Sequence, residues 1–256
     1  MTGYRHPGTA ALVLAAGQGT RMRSDLAKVL HAMAGRPLLA WVLDALRDLA
    51  LDRVLVVVGH QRARVMEAFA GAGVEWVVQT PQCGTGHAVM TAAPALAGFA
   101  GELLVVCGDT PLLRAATLHG LLEGHAASGA AVTVLSMRVP DPRGYGRILR
   151  EGAGGLAAIV EERDATDEQR RIDEVNSGVY VFRYPALADA LASLSARNAQ
   201  GEYYLTDTVA LMGRQGLRTA VVCAPDHREL LGINTVEQLA EAGRVHAELA
   251  GRAGDR

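Results

Sequence analysis

The chain has little cysteine, no long apolar run and almost no net charge. Its three cysteines, Cys83, Cys107 and Cys223, are odd in number, far apart and include no CxxC pair. That spacing argues against a disulfide framework or a zinc site built on cysteine. Cys107, inside an apolar run, reads as a small buried residue. No window reaches the roughly 18 uninterrupted apolar residues of a membrane span, and the first residues lack an apolar leader core. We therefore expect a soluble, cytoplasmic protein with no membrane partner. A net charge of −2 offers no field for a nucleic-acid polyanion, so any phosphate recognition must be local. Two common phosphate loops are also missing. A dinucleotide fingerprint would need a third glycine where Met22 stands, and a Walker loop would need Gly-Lys-Ser/Thr after four spacer residues. No serine or cysteine lies in a His-and-acid arrangement, so covalent catalysis is not indicated.

What is present is globular. Of the 256 residues, 50% are hydrophobic and 20% charged, enough to bury a sizeable core. Ala10–Ala16, Val54–Val58, Val74–Val78, Leu103–Cys107 and Ala131–Val139 read as strands. Two of them are nearly continuous apolar blocks, which suits a parallel sheet covered on both faces. Pro37–Leu49, Arg62–Ala70, Thr85–Leu96 and Leu112–Ala127 carry helical spacing between them. Beyond Pro140 come shorter strands, Arg147–Arg150, Ala157–Glu161 and Val175–Arg183. Helical patterns return at Tyr203–Arg214 and Val236–Leu249, with strand Thr219–Cys223 between. The expectation is a single α/β domain over residues 1–256, a doubly wound, mostly parallel sheet with a small β-rich insertion over its ligand edge. Within it, residues 10–139 form a first part, 140–234 a second with shorter strands, and 235–250 a closing helix. The charged segment Glu162–Asp173 reads as a solvated excursion, with Glu162 and Arg163 on the surface.

Ligands of open α/β sheets bind outside the carboxyl ends of the strands. Three chemical candidates fall on that rim. Leu14-Ala15-Ala16-Gly17-Gln18-Gly19-Thr20-Arg21-Met22, followed by Lys28, is a glycine-rich turn at a strand end with two cations near it, a natural phosphate cradle. Asp109, after strand Leu103–Cys107, is placed to hold Mg2+ against phosphates, or else to cap a helix at Pro111. Gln79 and Gln82-Cys83-Gly84-Thr85-Gly86-His87 offer paired amide groups for the edge of a pyrimidine; the plain alternative is a capped helix with solvated glutamines. His87 reads as structural rather than catalytic. Gly146, in Gly144-Tyr145-Gly146-Arg147, presents backbone amides or simply turns a hairpin. Glu161 and Asn176, polar residues at strand ends, either bind sugar hydroxyls or decorate edges. Asn234 reads as the cap of the last helix, with Thr235 competing.

These segments together resemble the uridyltransferase domain of the bacterial bifunctional N-acetylglucosamine-1-phosphate uridyltransferase/glucosamine-1-phosphate acetyltransferase. The likeness runs colinearly from about Ala11 to about Val245 through LAAGQGTRM, SDLAKVLH, QCGTGHA, GDTPLL, GYGRI, VEERDATDEQRRI, EVNSG, GEYYLTD and LGIN. The glycine loop alone marks only the wider sugar-nucleotidyltransferase superfamily; GTGHA, DATDEQ and GEYYLTD are more specific. The resemblance implies a Rossmann-like nucleotidyltransferase fold that joins UTP to N-acetyl-α-D-glucosamine 1-phosphate with Mg2+. Leu14, Ala15, Ala16 and Gly17 would line the nucleotide, with Arg21 and Lys28 on the triphosphate. Gln79, Gln82, Gly84 and Thr85 would recognise uracil and ribose. Gly146, Glu161, Asn176 and Thr206 would hold the sugar phosphate, and Asp109 and Asn234 would be the protein ligands to Mg2+. Ala27 stands where the family usually has proline, which implies a less rigid loop before Lys28. Cys107 replaces a tyrosine found in some members at the pocket wall. The family's hexapeptide-repeat β-helix has no counterpart in these 256 residues, so the resemblance carries no acetyl transfer and leaves the oligomeric state open. Two other readings stay open: a nucleotidyltransferase for another sugar 1-phosphate or nucleotide, and a non-catalytic nucleotide-sugar binding module.

Overall fold

A computed structural model describes residues 4–152 and 155–254, with side chains as far as Leu249. The elements run β1 (His6–Ala15), β2 (Ala32–Met33), β3 (Arg36–Pro37), α1 (Leu38–Arg47), β4 (Leu51–Val58), α2 (Arg62–Ala68), β5 (Glu75–Val78), α3 (Thr85–Thr91) and β6 (Glu102–Cys107). There follow α4 (Ala115–Ser128), β7 (Val132–Arg138), β8 (Arg147–Glu151), β9 (Gly155–Val160), β10 (Glu174–Arg183), α5 (Tyr184–Leu191), α6 (Asp207–Arg214), β11 (Thr219–Cys223) and α7 (Val236–Gly254).

The main sheet has the order β11-β7-β10-β6-β1-β4-β5, with the β8–β9 hairpin branching from β10. Strands β1, β4, β5 and β6 pair in parallel. Strand β10 runs antiparallel to both β6 and β7. The expected doubly wound α/β sheet is thus present, and the β-rich insertion is continuous with it. The apolar blocks explain the burial. Ala10, Leu12, Leu55, Val57, Leu103 and Val105 face one core, while Ala11, Val13, Val56, Val58, Leu104 and Val106 face another. Alternate residues of the same strands point to opposite faces, so a sheet covered on both sides needs every position apolar. Strand β1 lies between β4 and β6, where the strand order reverses, and such a switch point opens a crevice at the carboxyl ends.

A third, smaller core brings the end of the chain back to this crevice. Met22, Met33, Leu38, Leu112, Ile233, Ala242 and Val245 pack together, and the Trp41 and His246 rings meet at 4.7 Å. Helix α7 therefore starts beside the phosphate loop. Thr235 Oγ1 accepts from the Gln238 N–H at 3.2 Å and is the helix cap, which releases the Asn234 side chain for the crevice.

Several boundaries differ from expectation. Helix α1 begins at Leu38, because Pro37 belongs to the β2–β3 hairpin, whose turn residues Ala34 and Gly35 both have positive φ. Helix α3 stops at Thr91, since Pro94 cannot continue it. Helix α4 starts at Ala115, not Leu112, because residues 110–113 form a turn closed by Leu113 N–H to the Thr110 carbonyl at 3.2 Å. Helix α6 starts at Asp207, because the backbone at Tyr203 and Leu205 is bonded to the Gly84–Gly86 loop instead. Helix α5 was not anticipated, although Pro185 in its first turn and the buried Leu187 and Leu191 mark it. Helix α7 continues past Leu249 to Gly254, and Asp255 and Arg256 lie outside the described residues. Among the described residues no helix is long and apolar enough to cross a membrane.

Leu12 is fully buried on the central strand. Leu12→Ala is expected to lower unfolding stability by about 2–5 kcal/mol, measured by urea titration.

Candidate active site

The apolar strand β1 ends at Ala15 and hands the chain to a loop that has to stay close to Lys28. Gly19 has φ +66°, and a Cβ there would stand 2.7 Å from the Lys28 Cβ. Glycine is therefore the residue that permits the approach. A single 3-10 turn, Thr20–Met22, then anchors Met22 in the third core and leaves Arg21 at the crevice mouth.

Four charged or amide side chains meet at this point. Lys28 Nζ is ion-paired with Asp109 Oδ2 and donates to Asn234 Oδ1 at 3.1 Å. Arg21 Nη2 donates to the same Asn234 oxygen, also at 3.1 Å. The Lys28 and Asp109 side chains are only 14% and 16% exposed, so the pair is partly withdrawn from water. Asp109 caps no helix: none starts at Pro111, and its carboxylate faces Lys28. A lysine ammonium here occupies the place between a carboxylate and an amide oxygen. Hard oxygens around a positive centre are what a Mg2+ ion takes, sharing its remaining positions with phosphates and water. The donor set fits such an ion.

Ala27 sets the angle of the Lys28 loop. It is buried, with φ −52° and ψ 133°, a conformation proline would share. Its N–H, which proline would lack, donates to Gln61 Oε1 at 3.1 Å, and Gln61 Nε2 donates to the Asp25 carbonyl. The loosening implied by Ala27 is thus countered by a side-chain clamp from the loop after β4.

The crevice beside these groups is a cleft of about 470 Å³. Its lining includes Leu14, Ala15, Ala16, Gly17, Lys28, Gln79, Gln82, Gly84, Thr85 and Asp109. Gln79 is buried; its Nε2 donates to the Gly84 carbonyl at 3.1 Å and stands 3.0 Å from His87 Nδ1. That contact holds His87 against Gln79 at the start of α3. Gln82 Nε2 donates to the Ala16 carbonyl at 2.7 Å, tying this loop to the phosphate loop. Thr85 does not cap α3; its Oγ1 accepts from the Leu205 N–H at 3.1 Å. With Gly86 N–H to Tyr203 O at 2.7 Å and Tyr203 N–H to Cys83 O at 2.8 Å, that bond explains why GTGHA and GEYYLTD occur together. Gln18, Val29, Ala88 and Glu202 also line the cleft; all four lie within quoted motifs but carry no individual role in the sequence reading. Cys107 is on the wall as the resemblance implied, and burial together with Asp109 pushes its thiol up to about 12, so it remains a neutral thiol.

A second group lies toward the β8–β9 hairpin. Thr206 Oγ1 donates to Glu161 Oε1 at 3.0 Å, and a Cβ on Gly146 would stand 3.5 Å from the Glu161 carboxylate. The Asn176 N–H donates to the Gly146 carbonyl at 2.8 Å, and Asn176 Nδ2 donates to the Tyr180 hydroxyl at 2.6 Å. Gly146, Glu161, Asn176 and Thr206 are therefore gathered, though outside the lining of the main cleft. Burial raises the Glu161 carboxyl above its ordinary pKa, against the Thr206 hydrogen bond that lowers it. The placement of Glu162 at the free surface is corrected. It pairs at 2.6 Å with Arg147, a fully buried side chain, and accepts the Gly144 N–H at 3.2 Å. Burial pushes the Glu162 carboxyl up, but Arg147 and Gly144 hold it below its usual value overall. Arg147 also donates to the Tyr145 and Arg170 carbonyls, so the charged excursion is stitched to the glycine turn.

Residues 11–201 match the MobA-like NTP transferase domain, which covers well over half of the chain. The chain belongs to the MobA-like NTP transferase family. It is 50% identical over 236 residues to the bifunctional protein GlmU of Geobacter metallireducens, covering 92% of this chain and 50% of that protein. It is also 50% identical over 242 residues to the protein of the same name from Thermobifida fusca, again covering 92% and 50%. The chain thus spans about half the length of the curated relatives it matches. Its fold resembles that of a UDP-glucose pyrophosphorylase complexed with UDP-glucose, with TM-score 0.74 and 17% identity, over 94% of this chain and 98% of that one. The cleft combines the glycine-rich loop after β1, Lys28, Asp109 and an amide-bearing loop, with Arg21 and Asn234 hydrogen-bonded beside it.

Gln61→Ala leaves the buried Ala27 N–H without its acceptor. A loss of about 1–3 kcal/mol in urea unfolding is expected, with faster amide hydrogen exchange at Ala27 and Lys28.

Proposed function

We propose that this NTP transferase makes UDP-N-acetylglucosamine and pyrophosphate from UTP and N-acetyl-α-D-glucosamine 1-phosphate. The observation that carries this reading is the convergence of Arg21, Lys28, Asp109 and Asn234 beside a cleft lined by Gln79, Gly84 and Thr85. The colinear sequence resemblance supplies the sugar and the base. Both substrates are multiply charged and water-soluble, which suits a cytoplasmic place of action.

In this proposal a phosphate oxygen of the sugar 1-phosphate attacks the α-phosphorus of UTP. The bond between the α-phosphorus and its bridging oxygen breaks, and pyrophosphate leaves with the electron pair. Such transfers need positioning and charge neutralisation more than covalent help. Asp109 and Asn234 would hold Mg2+, which supplies Lewis-acid polarisation of the phosphoryl oxygens when bound. Lys28 leaves Asp109 as the nucleotide enters; its flexible stem carries the ammonium to the β- and γ-phosphates, where Arg21 joins it. The backbone of Leu14 to Gly17 follows the nucleotide. Gln79 Nε2 is committed to Gly84 and His87, which leaves Oε1 to accept the N3–H of uracil. Gln82, Gly84 and Thr85 shape the rest of the base and ribose pocket. Glu161 and Thr206 receive the sugar, with the Gly146 backbone and Asn176 alongside.

Asp109→Ala is expected to abolish pyrophosphate release while retaining the far-UV spectrum and cooperative unfolding; full turnover at ordinary Mg2+ removes Asp109 from the metal site. Lys28→Ala should lose roughly 2–4 kcal/mol of transition-state stabilisation in kcat/KM, as for one preorganised donor. Glu161 receives the sugar as a carboxylate, and its pKa lies above the ordinary value. The KM for the sugar phosphate should therefore rise as pH falls through that raised pKa, and Glu161→Gln should flatten this part of the profile. An unchanged profile in the variant assigns the titration elsewhere.

A further inference from the structure

Strand β1 has a second cluster at its other end, about 30 Å from the cleft for ten residues of strand. His6 opens β1, and His119 and Glu123 lie one turn apart on α4. His6 Nε2 and His119 Nδ1 are 3.0 Å apart, and with a Glu123 carboxylate oxygen all three potential ligand atoms lie within 4.8 Å of one another. Two ligands on bonds of about 2.0–2.1 Å at a tetrahedral angle stand about 3.3 Å apart, close to the separation seen here. The His119 ring is also stacked on Tyr4, at 4.0 Å between centroids. Neither imidazole belongs to the cleft, and a simple hydrogen bond between them would not require the Glu123 carboxylate beside them.

We propose that His6, His119 and Glu123 form a site for a divalent transition metal of the Zn2+ class, which fastens the start of β1 to α4. Two imidazole nitrogens and one carboxylate oxygen suit Zn2+, Co2+ or Ni2+, with water completing the shell, and suit Mg2+ or Ca2+ poorly. Burial first, and then the neighbouring His119, lower the His6 pKa against an opposing pull from Glu123. A ligand that binds only the folded chain raises its thermal midpoint. The metal would act on stability and leave nucleotidyl transfer alone.

The test titrates metal-stripped protein with ZnCl2 in excess Mg2+, reading bound zinc by equilibrium dialysis and Tm by thermal unfolding. The wild-type chain should bind one Zn2+ more than His119→Ala, and zinc should raise its Tm but not that of the variant. Glu123→Gln, at an exposed position, should bind that ion at least tenfold more weakly, since even outer-shell partners are worth 10–100-fold. Magnesium-dependent pyrophosphate release should be the same in all three. Equal zinc stoichiometry and affinity in wild type and both variants overturns the proposal, as does the absence of a zinc-dependent rise in Tm. If His119→Ala does not fold, the Glu123→Gln comparison decides by itself.

Discussion

The ion pair between Lys28 and Asp109 joins the loops that follow two neighbouring strands, 81 residues apart in sequence, and the rest of the site is arranged around it. Asp109 follows β6, Lys28 follows the phosphate loop of β1, and Asn234 arrives with the last helix. A carboxylate so far withdrawn from water needs a cation, and lysine supplies one in this structure. In the proposed reaction the same position would take a metal ion, and the lysine would then be available to phosphates. Each long-range feature of the fold serves this meeting. The parallel pairing of β1 with β6 sets Leu14 opposite Cys107. The third core seats α7 so that Asn234 reaches the pair.

Around that centre the loops are braced against one another. Gln82 holds the Ala16 carbonyl, Gln61 holds the backbone on both sides of Leu26, and Arg147 holds the glycine turn to the charged excursion. Buried polar groups need such partners, and each bond here also fixes a loop that would otherwise be free to move. Pre-organisation of this kind suits phosphoryl transfer, where alignment and charge placement supply most of the rate.

Much of this was legible in the chain. Apolar runs located the parallel strands β1, β4, β5 and β6, two of them as nearly continuous blocks, because a doubly covered sheet needs apolar residues on both faces. The glycine loop, Asp109 and Gln79 were found through their position after strands. Other features were hidden for identifiable reasons. The buried role of Arg147 was invisible, because its partners Glu162 and the Arg170 carbonyl lie in a segment that reads as solvated. Gln61 gave no signal, since it acts across 34 residues on a backbone N–H. Asn234 reads locally as a helix cap, and only the neighbouring Thr235 taking that role releases it. The short β2–β3 hairpin was missed because two-residue strands carry no periodicity.

Pyrophosphate release measured across a panel of nucleotides and sugar 1-phosphates, with and without Mg2+, is the most direct test of the central claim. The account predicts turnover with UTP and N-acetylglucosamine 1-phosphate in the presence of Mg2+, and its collapse on replacing UTP by CTP or TTP, on replacing the sugar by glucose 1-phosphate, or on removing the metal. Equal turnover with all nucleotides and sugars, or undiminished turnover without a divalent cation, would contradict it.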